Sequence, residues 1–167
     1  AVAKEPDQTK LIEIANSAPL REVREAAVKR VTDQSAIEAF AKKVSDFSVC
    51  CAAIERLSNQ TMLADIAIHS KEALLRQAAV NNMNLSDQST LSRVAKNDEV
   101  NQVCYDAIQR LTDIFELEAV ANSRESVRHW VEKRQGELIS SMTSQTELAD
   151  IAKLNVDSAI RYAAIRK

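Results

Sequence analysis

The chain has 167 residues, a single glycine and aromatic residues at only 4 % of its composition. Glycine-rich turns that cradle phosphates, as in P-loops and dinucleotide-binding motifs, need several residues that adopt positive φ, so those nucleotide-binding classes are excluded. The formal net charge is −2, whereas nucleic-acid binders usually show a basic excess. Much of the 46 % hydrophobic share is alanine, the strongest helix former, and no apolar run approaches the ~20 residues of a membrane span. Composition therefore predicts an all-α protein and weighs against nucleic-acid and membrane partners.

One short pattern returns along the chain. A cap residue (Asp, Asn or Ser) is followed by glutamine and then by an apolar anchor, with alanine four residues after the anchor. The copies begin at Asp7, Asp33, Asn59, Asp87 and Ser144, and a divergent copy at residue 113 has Ile114 in the glutamine position. Self-similarity at a fixed period is typical of repeat architectures. The pattern predicts six units, namely 7–32, 33–58, 59–86, 87–112, 113–143 and 144–167.

Each unit is predicted to form two short helices, which we call its first and second helix. In the first helix, Leu11 and Ala15 lie on one apolar face behind the capping aspartate. In the second helix, Val23, Ala27 and Val31 share a face opposite a polar strip. Isolated helices of this length are marginal in water. Neighbouring units must therefore stack to supply a core.

The Leu-x-x-Ile-Ala helix followed by Val-Arg-x-Ala-Ala-Val resembles a short HEAT-like repeat, and it is also similar to the bacterial leucine-rich-repeat variant. The resemblance covers nearly the whole chain and implies a right-handed α-α superhelix, a HEAT-like solenoid of about six repeats. It also implies a protein-binding function, although a minority of the family bind nucleic acid or serve as accessory domains of larger enzymes. The four-cysteine iron–sulfur motif of some leucine-rich-repeat variants is missing, so no cofactor is expected.

Both ends of the sequence fall inside a second-helix pattern, because residues 1–6 align with residues 27–32 and the chain closes on Ala163-Ala164-Ile165. Terminal repeats of a solenoid normally carry a polar outer face, and neither end does. We therefore expect a single array, 1–167, that is a fragment of a longer solenoid. It would be monomeric or would make end-to-end contacts through its uncapped repeats.

An arginine recurs at one position of the second helix, in Arg24, Arg76, Arg128 and Arg161, and Cys50 and Cys104 replace it in two units. These arginines form either an anion-binding row or a structural ladder that bonds loop carbonyls and acids such as Asp46 or Asp157. The structural ladder is favoured because the position adjoins the buried face and arginine suits forked pairing. Cys50 and Cys104 lie two units apart, roughly 20 Å by helix spacing, which is too far for a disulfide. An odd cysteine count without a C-x-x-C pair favours reduced thiols and a cytoplasmic location.

Other polar residues are also interpreted as structural. The recurring Gln8, Gln34, Gln60, Gln88 and Gln145 are predicted to hydrogen-bond between successive inter-unit turns rather than to serve as catalytic amides. His69 and His129 lack a set of ligands at metal-binding spacing. We therefore expect no catalytic residue, no metal site and no enzymatic activity.

The outward strip of the second helices is the candidate binding surface, as it is in many helical arrays. The predicted partner-binding residues are Gln77, Asn81, Gln102, Tyr105, Gln109, His129, Lys133, Tyr162 and Arg166. The nearby Trp130 either joins this surface or fills a shortened junction. The primary hypothesis is a scaffold for a protein or peptide partner, and the alternatives are a nucleic-acid-binding array and a structural arm of a larger enzyme. Gly136 is expected to mark the one irregular junction, where the stack would bend.

Overall fold

A computed structural model describes residues 7–43, 45–153 and 158–167, except for the side chains of residues 158–160 and 162. These residues form helices and connecting turns with no strand, so the all-α prediction is confirmed. The helices within the described ranges are α1 (Gln8–Ser17), α2 (Arg21–Val28), α3 (Gln34–Ala41), α4 (Phe47–Ile54), α5 (Gln60–His69), α6 (Ala73–Asn81), α7 (Gln88–Asn97), α8 (Asn101–Arg110), α9 (Ile114–Ser123), α10 (Arg128–Ser141), α11 (Gln145–Lys153) and α12 (Ser158–Arg166), with a 3₁₀ turn at Glu125–Val127 before α10. Among the described residues, no helix combines the length and the apolar character that crossing a membrane requires.

The helices pack as neighbouring pairs, α1 with α2, α3 with α4, and so on to α11 with α12. The chain divides into two compact units, Ala1–Asp87 and Gln88–Lys167, which we call the N-terminal and C-terminal units. In the N-terminal unit the second helices α2, α4 and α6 pack in succession. In the C-terminal unit α8, α10 and α12 do the same, and the first helices α7 and α9 also touch.

Side-chain caps begin several of the first helices. The carboxylates of Asp7, Asp33 and Asp113 each accept hydrogen bonds from two backbone amides of the following turn, and Asn59 accepts one from the amide of Met62. Such caps satisfy amide groups that have no partner inside the helix. The predicted starts of these helices are therefore confirmed.

The core follows the repeated apolar positions. The first-helix anchors Leu11, Leu63 and Leu91 are buried, and so are the corresponding second-helix residues Val49 and Val103. Val23, predicted to lie on the buried face of α2, is instead 43 % exposed. Among the described residues, α2 packs against the second helix α4, and α4 packs against both α2 and α6.

The single glycine is not at a junction. Gly136 lies inside α10, the longest helix of the described residues, and its φ is not positive. The extra residues of this part of the chain form the 3₁₀ turn and lengthen α10, whose buried face continues through Val131, Gln135 and Ile139. The prediction of an irregular junction at Gly136 is therefore wrong.

Candidate partner-binding face

The repeated glutamines join successive helix pairs. Each side-chain oxygen accepts from the backbone amide of the residue just before the cap residue of the next first helix, and the pairs are Gln8 with Thr32 (2.8 Å), Gln34 with Ser58 (3.1 Å), Gln60 with Ser86 (3.3 Å) and Gln88 with Thr112 (2.7 Å). The predicted turn-to-turn bonding of these four glutamines is thus confirmed. Ile114, in the same position, instead packs in an apolar cluster with Ile139 and Leu148.

In the N-terminal unit, the recurring arginines bind the turn inside their own helix pair. Arg24 donates from Nη1 to the carbonyls of Ala18 (2.7 Å) and Pro19, and from Nε to the Asp46 carboxylate in the next pair. Burial alone would raise the pKa of Asp46, but the hydrogen bonds from Arg24 and from the backbone amide of Val49 hold it below its ordinary value. Arg24 therefore links two pairs.

Arg76 and Cys50 contact the corresponding turns. Arg76 is buried and donates to the carbonyls of Ser70 (2.9 Å) and Lys71 (3.1 Å). The thiol of Cys50 takes the same role in its own pair, donating to the carbonyl of Ala41 at 3.0 Å. Burial raises the pKa of this thiol to about 11, so it stays protonated and able to donate at neutral pH.

In the C-terminal unit, a recurring cysteine and an arginine of the following helix pair donate to the same turn carbonyl. Cys104 donates to the carbonyl of Asp98 at 3.1 Å, and Arg124 reaches the same carbonyl with Nη1 at 2.6 Å while contacting the Cys104 sulfur at 2.9 Å. The sequence reasoning missed Arg124. It lies four residues before Arg128, as Asp46 lies four residues before Cys50, so this position pairs with the recurring arginine or cysteine of the preceding helix pair.

The last two recurring arginines differ in what surrounds them. Arg128 donates to Glu125 at 2.9 Å and to the carbonyl of Ala121 at 3.2 Å. Arg161 is half-buried in α12. Its expected acidic neighbour, Asp157, lies outside the described residues.

A second set of donors, also missed from the sequence, ties the ends of neighbouring second helices together. Arg56 donates to the carbonyl of Val31 (3.0 Å), and Arg134 donates to that of Leu111 (3.1 Å). Asn82 occupies the corresponding place in its own pair. All three donors lie six residues after the recurring arginine or cysteine position, so their spacing is periodic although the residue type changes from Arg to Asn.

The outward strip of the C-terminal unit holds an aromatic cluster, which consists of Tyr105 on α8 and His129 and Trp130 on α10. The Tyr105 and Trp130 rings meet edge to face, with centroids 5.6 Å apart and planes at 78°. The His129 ring lies 4.8 Å from the Trp130 ring. Tyr105 and Trp130 are half-buried and His129 is exposed, so two neighbouring second helices present aromatic groups together.

The other predicted partner-binding residues of the C-terminal unit differ in their exposure and hydrogen bonds. Gln102 is exposed and donates to Asp106 on its own helix at 2.7 Å. Gln109 is half-buried and its Nε2 is buried without a partner, so it is not the open contact position that the sequence pattern predicts. Lys133 and Arg166 are exposed. The side chain of Tyr162 lies outside the described residues.

In the N-terminal unit, Gln77 and Asn81 line an open groove of about 480 Å³ between α4 and α6, which we call the α4/α6 groove. Its walls also include Phe47, Leu74 and Met83. Cys51 of α4 and Glu55, which follows the last residue of α4, also line the groove. Between α4 and α6, the outward strip of this unit therefore forms a partly apolar groove.

The titratable and thiol side chains of the described ranges are dispersed or exposed at the positions considered for metal binding. No group of three or more His, Cys, Asp or Glu side chains there is placed to hold a metal ion. His69 pairs with Asp65 at 2.9 Å, but both side chains are exposed on one face of α5. All three cysteines are free thiols.

Comparison with known proteins adds no assignment, since neither a protein-family model, nor a curated protein, nor a solved structure matches the chain.

Proposed function

We propose that the chain is a non-enzymatic, HEAT-like repeat scaffold that binds a protein or peptide partner on the outward face of its second helices. In this proposal the helix pairs wind as a right-handed α-α superhelix. The aromatic cluster of Tyr105, His129 and Trp130 is the observation that carries it. Trp and Tyr dominate the binding energy of many interfaces because they offer large, stiff surfaces with a polar edge.

The placement of the aromatic cluster supports a role in partner binding rather than in holding the helix pairs together. The repeated glutamines and arginines bond to turns and to neighbouring pairs, so they serve the array itself. Tyr105 and Trp130 instead bring two of the few aromatic side chains of the chain together on adjacent second helices. The exposed cation Lys133 lies one turn after His129 on α10 and adds a charged rim of the kind that interfaces show.

A cytoplasmic location belongs to the same proposal. Three thiols without a disulfide, two of them buried as small apolar residues, suit a reducing compartment.

The experiment uses Trp130 as its reporter, because it is the sole tryptophan of the sequence. Peptides are selected from a displayed random library on the immobilised protein, and their affinities are measured by the change in Trp130 emission. The triple variant Tyr105→Ala, Lys133→Glu, Arg166→Glu should weaken binding at least tenfold, about 1.4 kcal/mol, while helicity stays unchanged.

The matched control is Phe115→Ala, which removes an aromatic ring that is 58 % exposed on a first helix, α9. It should change affinity by less than about twofold. Equal losses in the control and the triple variant, or unchanged binding in the triple variant, contradict the proposed face. Tight binding of single-stranded oligonucleotides that weakens steeply with salt favours the nucleic-acid alternative.

A further inference from the structure

The α4/α6 groove exposes large apolar side chains at its edges. Leu74 is 59 % exposed, Met83 is 83 % exposed and Phe47 is 37 % exposed, and all three line the groove. In a pocket built for a small ligand, the apolar groups would surround the ligand inside the protein. Here they stand at an open rim. The groove therefore suits an occupant larger than itself, which covers the rim as well as the floor.

The lengths of the bordering helices indicate the shape of that occupant. The helices α4 and α6 have 8 and 9 residues, so each is about 12–14 Å long at 1.5 Å per residue. This length matches a little over two turns of a partner helix, with apolar anchors at i, i+3 or i+4, and i+7. A volume of about 480 Å³ holds several such side chains.

The charge at the groove is negative. Among its lining residues Glu55 is the sole charged side chain, and it is exposed. Burial, followed by the charges of Glu55 and Glu25, raises the pKa of the Cys51 thiol in the groove wall. Lys29 donates to Glu25 at 2.6 Å, and the hydrogen bond and charge of Glu25 raise the pKa of Lys29, with a smaller contribution from Glu55. Lys29 does not line the groove, so Glu55 is the charged lining residue that an occupant meets.

We propose that the α4/α6 groove binds an amphipathic helix of a partner protein, with Leu, Met or Phe anchors between α4 and α6 and a Lys or Arg beside Glu55. The inference rests on the proposed function, because it assigns a partner chemistry to the same face of the second helices. The amide side chains of Gln77 and Asn84 supply a polar border to the apolar floor. Charge complementarity of this kind fixes the orientation and raises the association rate.

The test uses two fluorescein-labelled, alanine-based 16-residue helices and the whole protein, with fluorescence anisotropy as the readout. Both peptides carry Leu at positions 4, 8 and 11. One bears Lys beside the anchors, and its twin bears Glu at the same places. The basic peptide should bind at least tenfold more tightly than its acidic twin. Glu55→Lys should abolish or invert this preference, since it reverses the charge that distinguishes the peptides.

Leu74→Ser should weaken binding of the basic peptide at least tenfold. The matched control is Leu20→Ser, because Leu20 is 62 % exposed in the same unit but does not line the groove. It should change affinity by less than twofold. Equal affinity for the two peptides, failure of both to bind, or equal losses in Leu74→Ser and Leu20→Ser overturns the proposal.

The two proposals fail separately. Where Leu74→Ser and Glu55→Lys have no effect but the triple variant at Tyr105, Lys133 and Arg166 loses its selected peptides, the groove assignment alone is wrong. Where the groove variants behave as expected and the triple variant binds normally, the aromatic cluster is not the partner site and the groove assignment stands.

Discussion

Replacing Asn82 tests the donors that tie neighbouring second helices together. Its side chain is 4 % exposed, and its Nδ2 donates to the carbonyls of Ile54 (2.6 Å) and Leu57 (2.9 Å). Its Oδ1 accepts from the backbone amide of Asn84 at 2.8 Å. Asn82 therefore connects the end of α6 to the end of α4 within the N-terminal unit.

The expected loss in the free energy of unfolding depends on which carbonyl groups lose a hydrogen-bond donor. In Asn82→Ala, the carbonyl of Ile54 keeps the backbone amide of Leu57, and the carbonyl of Leu57 keeps the Nδ2 of Asn84. At least three side-chain hydrogen bonds are lost, two of them buried, without leaving either carbonyl wholly unpaired, so we expect a cost of about 2 kcal/mol or more. Asn82→Asp has the same shape but turns an oxygen toward those carbonyls and buries a charge, which should cost about 3 kcal/mol or more.

The assay is urea and thermal unfolding followed by circular dichroism at 222 nm. A loss of 2 kcal/mol lowers the melting temperature by about 4–8 °C in a chain of this size. The control is Asn97→Asp, because Asn97 is exposed and bonds only one carbonyl of its own helix, that of Arg93. It should cost less than about 0.5 kcal/mol. If Asn82→Asp is no more destabilising than Asn97→Asp, the reasoning about these inter-helix donors is refuted.

Three further predictions concern local features. Gly136→Ala should raise the free energy of unfolding by about 0.5–1 kcal/mol, since Gly136 is helical and an added Cβ meets no atom within 4 Å; a loss of stability in urea unfolding would contradict this. Asp46→Asn should destabilise at pH 7, and the gap to the wild type should close in urea titrations as the pH falls below the ordinary aspartate value of 3.8, because Arg24 keeps the carboxylate charged in the folded protein; a gap independent of pH would argue against this pairing. Iodoacetamide at pH 8 should modify the half-buried Cys51 before the buried Cys50, whose pKa is raised to about 11. Mass spectrometry of the digested protein follows the order, and modification of Cys50 first would contradict the prediction.

Local rules predict the parts of this fold that depend on residues near each other in sequence. A cap such as Asp33 acts within its own first turn, and Gln34 reaches a turn one repeat away at a fixed spacing, so both leave a periodic signal. Arg124 and Asn82 act between helix pairs at positions that also recur, four residues before and six residues after the recurring arginine or cysteine, but the residue type at these positions changes from pair to pair. Gly136 was misplaced because it lies in the longest and most divergent repeat, 113–143, which suggested an irregular junction, whereas the buried face of α10 continues through it.

Positions that join the helix pairs differ in their sequence pattern from the outward positions that we propose bind a partner. The glutamine position that bonds the next pair repeats its residue type, because each of these pairs presents a backbone amide at the same place. The outward positions of the second helices have no such constant counterpart, and there the residue changes from Cys51 to Gln77 in one unit and from Tyr105 to His129 in the other. Side chains that vary over a regular frame can suit one particular partner without disturbing the stack. That variation, found at the groove in one unit and at the aromatic cluster in the other, is the physical reason to look for binding at the outward positions of the second helices.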